Sequence, residues 1–124
     1  MHQKFYICKH CGNVITMLEN NGVPIKCCGE EMIEIEPETD KEKGEKHTPV
    51  FRVEENCVVV NVGKIEHPMG EEHYIKWICV QTNRGFHIRY LSFKTKPEVA
   101  VGLAKGEEVE GVFAYCNIHG LWKA

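Results

Sequence analysis

Four cysteines constrain this chain more than any other feature: CKHC, holding Cys8 and Cys11, and the adjacent pair Cys27-Cys28. A piece of chain shorter than about 40 residues seldom keeps a shape without a metal or disulfides. The total of seven cysteines is odd, which excludes a fully paired disulfide framework. The start, MHQKFYIC, lacks the basic-then-apolar pattern of a secretory signal. The expected compartment is therefore the cytoplasm, where thiols stay reduced and clustered cysteines bind metal. Gly12 follows the CxxC turn and Gly29 follows the CC pair. Their backbone freedom lets thiolates approach one ion without a Cβ clash. Four thiolates suit tetrahedral zinc or iron. An adjacent pair departs from the two CxxC knuckles of zinc ribbons and leans toward iron, and both metals stand at this point.

The chain reads as two parts, 1–37 and 38–124. In the first, Asn20-Asn21-Gly22 is a turn signal between two short apolar stretches and predicts a hairpin. Glu34 to Lys46, EIEPETDKEKGEK, is a charged run read as a linker or an exposed, solvated loop. Beyond it, residues 57–63, 73–81, 85–93 and 110–116 are rich in β-branched and aromatic side chains. Over 86–93 the alternation is closer to period two than to a helix. Breaks at Pro68-Met69-Gly70, Asn83-Arg84-Gly85 and Lys105-Gly106 separate short strands, the pattern of a β-sandwich. The fold class is mainly β.

Composition narrows the function. The 124 residues are 43% hydrophobic and 27% charged, with a net charge of −3. That balance argues against a nucleic-acid binder driven by phosphate contacts. No apolar run approaches the roughly 18 residues of a membrane span.

The histidines cluster in turn contexts. His47 lies in EKHTP, His67 and His73 bracket HPMGEEH, and Cys116 and His119 share CNIHG. Pro49 and Pro68 bias their neighbours to extended backbone, which aims an imidazole from a loop. Singly, each reads as a surface or packed residue; together they make a five-ligand set. His87 lies mid-strand and reads as structural. His2 and His10 read as solvated, with His10 placed inside the CxxC turn to tune that site. Four imidazoles and a thiolate exceed what structural zinc takes. Iron takes six ligands, so five leave one position free for reaction. Iron(II) with one thiolate carries a net +1 charge and would draw an anion.

The motifs EKHTP, HPMGEEH and CNIHG, preceded by CKHC and CC, resemble desulfoferrodoxin, the two-iron class of superoxide reductase. The resemblance covers nearly the whole chain. It implies a desulforedoxin/rubredoxin-like metal-binding domain at 1–37, with iron on Cys8, Cys11, Cys27 and Cys28. It implies an immunoglobulin-like β-sandwich at 38–124, with catalytic iron on equatorial His47, His67, His73 and His119 and axial Cys116. The implied reaction reduces superoxide by one electron to hydrogen peroxide. Glu45 and Lys46 would take catalytic parts, the glutamate toward oxidised iron and the lysine in attracting superoxide and organising protons. A rubredoxin or similar small redox protein is the implied donor, and a homodimer the implied assembly. The family often reads HGHW where this chain reads HGLW; no ligand is lost. Cys57 and Cys79 match no family ligand and are expected to be free thiols in strands. Tyr115 either reaches the site or packs. The rival readings are a superoxide dismutase, a non-catalytic iron electron carrier and a zinc-binding structural protein.

Overall fold

The computed structural model describes residues 3–124. The chain divides into two compact units, Met1–Glu36 and Pro37–Ala124. His2 lies outside the described residues.

The first unit contains β1 (Phe5–Ile7), β2 (Val14–Thr16), β3 (Lys26–Cys27), β4 (Glu30–Glu31) and β5 (Ile33–Glu34). Strand β1 sits between β2 and β5, both antiparallel to it, and β3 pairs with β4 in a separate two-stranded sheet. The turn at Asn20–Gly22 forms, but the predicted hairpin does not. Asn20 Oδ1 accepts the Gly22 N–H at 2.9 Å, a side-chain-closed turn whose glycine has φ +83°. The strands on either side of it pair with other partners, so the turn connects no ladder. Consecutive strands of this unit pair instead across residues 8–13, between β1 and β2, and, between β3 and β4, across Cys28-Gly29. Both residues have positive φ, 55° and 80°. That is the pattern of a two-residue type I′ loop.

The second unit opens with the helix α1 (Lys41–His47), followed by β6 (Pro49–Glu54), β7 (Cys57–Val62), β8 (Ile75–Thr82), β9 (Gly85–Tyr90), β10 (Glu98–Gly102), β11 (Val109–Cys116) and β12 (Gly120–Lys123). The reading of Glu34 to Lys46 as linker or loop is corrected here: the run holds the end of β5 and most of α1. Asp40 caps the helix, its Oδ1 accepting the N–H groups of Glu42 and Lys43 at 3.0 and 3.2 Å. Such a cap satisfies donors that the first turn leaves orphaned. Pro49 cannot continue the helix, and Thr48 closes it through its N–H to the Gly44 carbonyl.

The strands form two sheets, β10-β7-β6 and β12-β11-β8-β9. Between them lie Val58, Val60 and Val62 of β7, Ile78 and Val80 of β8, Val101 of β10, and Val112 and Ala114 of β11, all buried. Alternation puts every second residue inward, and β-branched side chains fill such a face well. The four runs read as strands from the sequence become β7, β8, β9 and β11.

One end of the sandwich gathers the reactive side chains. Cys116, the last residue of β11, pairs with Ile75, the first of β8, and with Gly120 of β12. The chain leaving β7 folds back so that the His67 N–H reaches the Val62 carbonyl at 2.9 Å. The other end, where β8 turns into β9, is held by Glu107. Its carboxylate accepts from the Thr82 hydroxyl at 2.6 Å, His87 Nε2 at 2.9 Å and the Ala104 N–H at 2.9 Å. His87 thus has the structural part expected of it. No helix among the described residues is long and apolar enough to cross a membrane.

Candidate metal centres

The thiols of Cys8, Cys11, Cys27 and Cys28 converge, their sulfurs all within 4.8 Å of one another. None is in a disulfide. The first pair is shaped by a tight turn in which the Gly12 N–H meets the Cys8 carbonyl at 2.9 Å, with Gly12 at φ +82°. Consecutive residues of an extended strand point to opposite faces. Cys27 and Cys28 escape that rule because Cys28 is left-handed, a costly backbone for a residue with a side chain. The strain lets two neighbouring sulfurs serve one site. Electrostatics point the same way. The Cys8 thiol is lowered to about 6, first by the Cys11 backbone N–H. The Cys28 thiol is pushed up to about 12, first by its contact with Cys8. Crowded sulfurs cannot all ionise alone, and a bound cation removes that conflict.

The second cluster is a ring. His47 and His67 centroids lie 4.5 Å apart, His67 and His73 4.6 Å, His73 and His119 5.0 Å, and His119 and His47 4.7 Å. Neighbours meet edge to face at 67–79°, while His47 and His73 face across the ring at 6.0 Å. Four imidazoles thus occupy the corners of a flattened square. His119 presents Nδ1 to its neighbours, 3.0 Å from His47 Nε2 and 3.2 Å from His73 Nε2. The Cys116 sulfur lies 3.8 Å from the same nitrogen and accepts the His119 backbone N–H at 3.4 Å. It is grouped with the ligand atoms of His47, His67 and His73 inside 4.8 Å. All five expected ligands of the second site therefore come together.

The local structure prepares them to ligate. His47 ends α1, not a loop, which corrects the expectation for that residue. Its Nδ1–H donates to the Lys43 carbonyl at 2.6 Å, leaving the Nε2 lone pair directed at the cluster. His67 is 1% exposed, and neither of its ring nitrogens has a hydrogen-bond partner among the described residues. Buried polar atoms are rarely left so, and a role as metal ligands is one of the few explanations. Burial lowers the pKa of His47 and His73 and brings that of His67 to about 4, with the neighbouring imidazoles adding to the effect. These rings are therefore neutral at neutral pH, the state that binds a transition metal. The donor set fits iron: imidazoles and one thiolate, more ligands than a structural zinc takes.

Glu45 and Lys46 occupy the last turn of α1 and are exposed; neither side chain enters an ion pair among the described residues. Tyr115 packs: its ring stacks on Trp77 at 5.1 Å. His10 is exposed and meets Glu30 at 3.1 Å. Cys57 and Cys79 are free thiols in β7 and β8. Two residues that shape the site carried no signal in the sequence. Trp122, 2% exposed, stacks on His47, and Gly63 lies against the backbone of residues 45–46.

The chain has relatives among known proteins. Residues 39–124 match the family model described as Desulfoferrodoxin. A desulfoferrodoxin homolog of Archaeoglobus fulgidus is 38% identical over 119 residues, spanning 96% of this chain and 94% of its own. The desulfoferrodoxin of Nitratidesulfovibrio vulgaris is 36% identical over 121 residues, spanning 98% and 94%. The crystal structure of the superoxide reductase from Treponema pallidum superposes with a TM-score of 0.83 at 31% identity, covering 99% of this chain and 97% of that one. With this similarity along nearly its whole length, the chain belongs to the desulfoferrodoxin family.

Proposed function

We propose that the protein is a superoxide reductase, using iron on His47, His67, His73, His119 and Cys116, with a second iron on Cys8, Cys11, Cys27 and Cys28. The observation that carries this reading is the pair of orphaned nitrogens of buried His67 inside a ring of imidazoles that also holds a thiol. The structural relative from Treponema pallidum is itself a superoxide reductase. When bound at the five-ligand site, iron supplies the electron: iron(II), superoxide and two protons give iron(III) and hydrogen peroxide.

The chain's own residues do the rest. The Lys43 carbonyl fixes the His47 tautomer. The His119 N–H on the Cys116 sulfur tempers the charge of the thiolate, a contact of the kind that tunes ligand strength. Lys46 places positive charge on the turn that carries His47 and raises the local concentration of an anion despite the net negative chain. Glu45 beside it is the carboxylate available to the oxidised state. The first unit acts as the desulforedoxin-like domain. The donor is a rubredoxin or similar small redox protein, the assembly a homodimer, and the compartment the reducing cytoplasm, which suits the free thiols of Cys57 and Cys79.

Product counting tests the reading. Reduced protein mixed with superoxide should yield hydrogen peroxide without oxygen and should consume an external reductant. Oxygen and peroxide together, with no reductant consumed, would make it a dismutase. Function that persists when only the four-cysteine site is loaded would make it an electron carrier.

A further inference from the structure

His73 and the Cys116–His119 pair come from segments more than 40 residues apart in sequence, and their positions must agree for the ring to close. The β8–β11 ladder does not reach that far in regular form. Its register shifts between Tyr115 and Cys116, just where the ligands begin. Asn117 takes over from it. The Asn117 backbone N–H donates to the Tyr74 carbonyl at 3.2 Å. The Tyr74 N–H donates back to Asn117 Oδ1 at 3.0 Å, and Asn117 Nδ2 donates to the Glu72 carbonyl at 3.0 Å. One residue thus bonds both chain neighbours of His73 while lying between Cys116 and His119. A side-chain amide offers the donor and the acceptor that a further ladder residue would have offered from its backbone. On its other side His73 is closed by reciprocal backbone bonds with Gly70, at 2.9 and 3.2 Å.

We infer that Asn117 is a positioning residue of the five-ligand site: it sets His73 Nε2 against His119 Nδ1 and the Cys116 sulfur, and so sets the strength with which the site holds its metal. The inference rests on the proposed reading of that site as an iron site. Asn117 is exposed, and its bonds to residues 72–74 lie at the surface. Its loss should therefore disturb the placement of ligands more than the stability of the fold.

The test compares Asn117→Ala with wild type and with Thr82→Ala, which removes hydrogen bonds to Glu107 and Arg84 at the opposite end of the sandwich. All three proteins are loaded with iron. The readouts are the energy and width of the thiolate-to-iron absorption band of the five-ligand site, and the rate of its iron release to a chelator. The four-cysteine band of the same chain is the internal control. Asn117→Ala should shift and broaden the band and speed iron release about tenfold or more, the scale typical of losing a partner that orients a metal ligand. Thr82→Ala should change neither, and the four-cysteine band should stay put in both. A wild-type band and release rate in Asn117→Ala would overturn the inference, as would an equal change in Thr82→Ala. Wild-type protein without the band would overturn the reading of the site itself, and the inference with it.

Discussion

The indole of Trp122 stacks on the imidazole of His47, centroids 4.9 Å apart and planes 25° from parallel. The same indole donates its Nε1–H to the His119 carbonyl at 3.2 Å. One buried side chain from β12 therefore touches two residues of the histidine ring, the His47 imidazole through its face and the His119 backbone carbonyl through its edge. The two roles separate by substitution. Trp122→Phe keeps an aromatic face and loses the donor; it should cost about 1 kcal/mol, the net worth of one hydrogen bond. Trp122→Ala leaves a cavity as well and should cost about 3–5 kcal/mol. Urea midpoints of the two variants check the order, and iron retained at the five-ligand site should follow it. Equal midpoints for both would deny the stacking any part.

Gly63 is buried directly beneath the end of α1. A Cβ there would lie 2.6 Å from both the Glu45 carbonyl oxygen and the Lys46 carbonyl carbon, which are backbone atoms that cannot swing aside. The Ile65 N–H, donating to that same Glu45 oxygen at 2.8 Å, fastens the segment to the helix. Gly63→Ala must displace the turn that carries His47, with an overpacking cost of about 1–3 kcal/mol. Iron per chain should fall by about half, because the five-ligand site loses a positioned ligand while the four-cysteine site keeps its own. Full iron content with wild-type spectra would show that the helix end can move without consequence.

The parts of the fold that were legible in the sequence are those whose chemistry is local. The sulfur cluster follows from spacing and from the glycines after each pair. Strands β7, β8, β9 and β11 follow from dense β-branched and aromatic runs. The helix α1 was not legible, since KEKGEKH has no apolar period and buries only His47; its cap at Asp40 was the one available signal. Strand β12 is four residues long, and β6 exposes both faces beyond Pro49, so neither shows a buried-face pattern. Asn20-Gly22 misled because its turn closes through a side chain rather than across a ladder. The strands of the first unit turn back at residues 8–13 and at Cys28-Gly29, where cysteines signal ligands before they signal turns. The gathering of His47, His67, His73, Cys116 and His119 was an expectation from the motifs EKHTP, HPMGEEH and CNIHG taken together, because no local spacing links segments so far apart. Trp122 and Gly63 act through space on residues that are distant in the chain, and no spacing announces them.

Cys116 is fully buried at the end of β11, with its sulfur beside the histidine ring. Cys116→Ser substitutes a poor donor for a thiolate in nearly the same volume. The thiolate-to-iron(III) absorption of the five-ligand site should vanish, while the four-cysteine absorption persists. A surviving band would place that ligand elsewhere, with Cys79 as the next buried thiol to examine.

Lys46 tests the electrostatic half of the proposed function. A charge about 6 Å from an anion at an effective dielectric near 20 contributes roughly 2–3 kcal/mol before screening. Exposure reduces that figure, so Lys46→Ala should slow superoxide reduction by about tenfold at low ionic strength and less at high. Iron content should not change, because Lys46 supplies no ligand. Pulse radiolysis across a salt series measures both the rate and its slope. A rate that matches wild type at low salt removes Lys46 from substrate attraction.

Glu107 gives the end of the sandwich away from the metal ligands its own pH dependence. Its carboxyl is held down to about 2 against an ordinary 4.5, first by the Thr82 hydroxyl, then by the Ala104 N–H and His87. A carboxyl whose folded pKa lies below its unfolded value adds stability that is fully present above the unfolded value. That stability is lost as pH falls from about 4.5 toward about 2. Glu107→Gln cannot ionise, so it should be less stable than wild type at neutral pH. The difference between the two proteins should shrink through that window. Urea midpoints by circular dichroism at neutral pH and at about pH 3 measure it. Comparing two chains at one pH cancels any acid loss of metal, which both would share. A difference that stays constant with pH would mean that Glu107 holds Thr82, Ala104 and His87 by shape alone, without its charge.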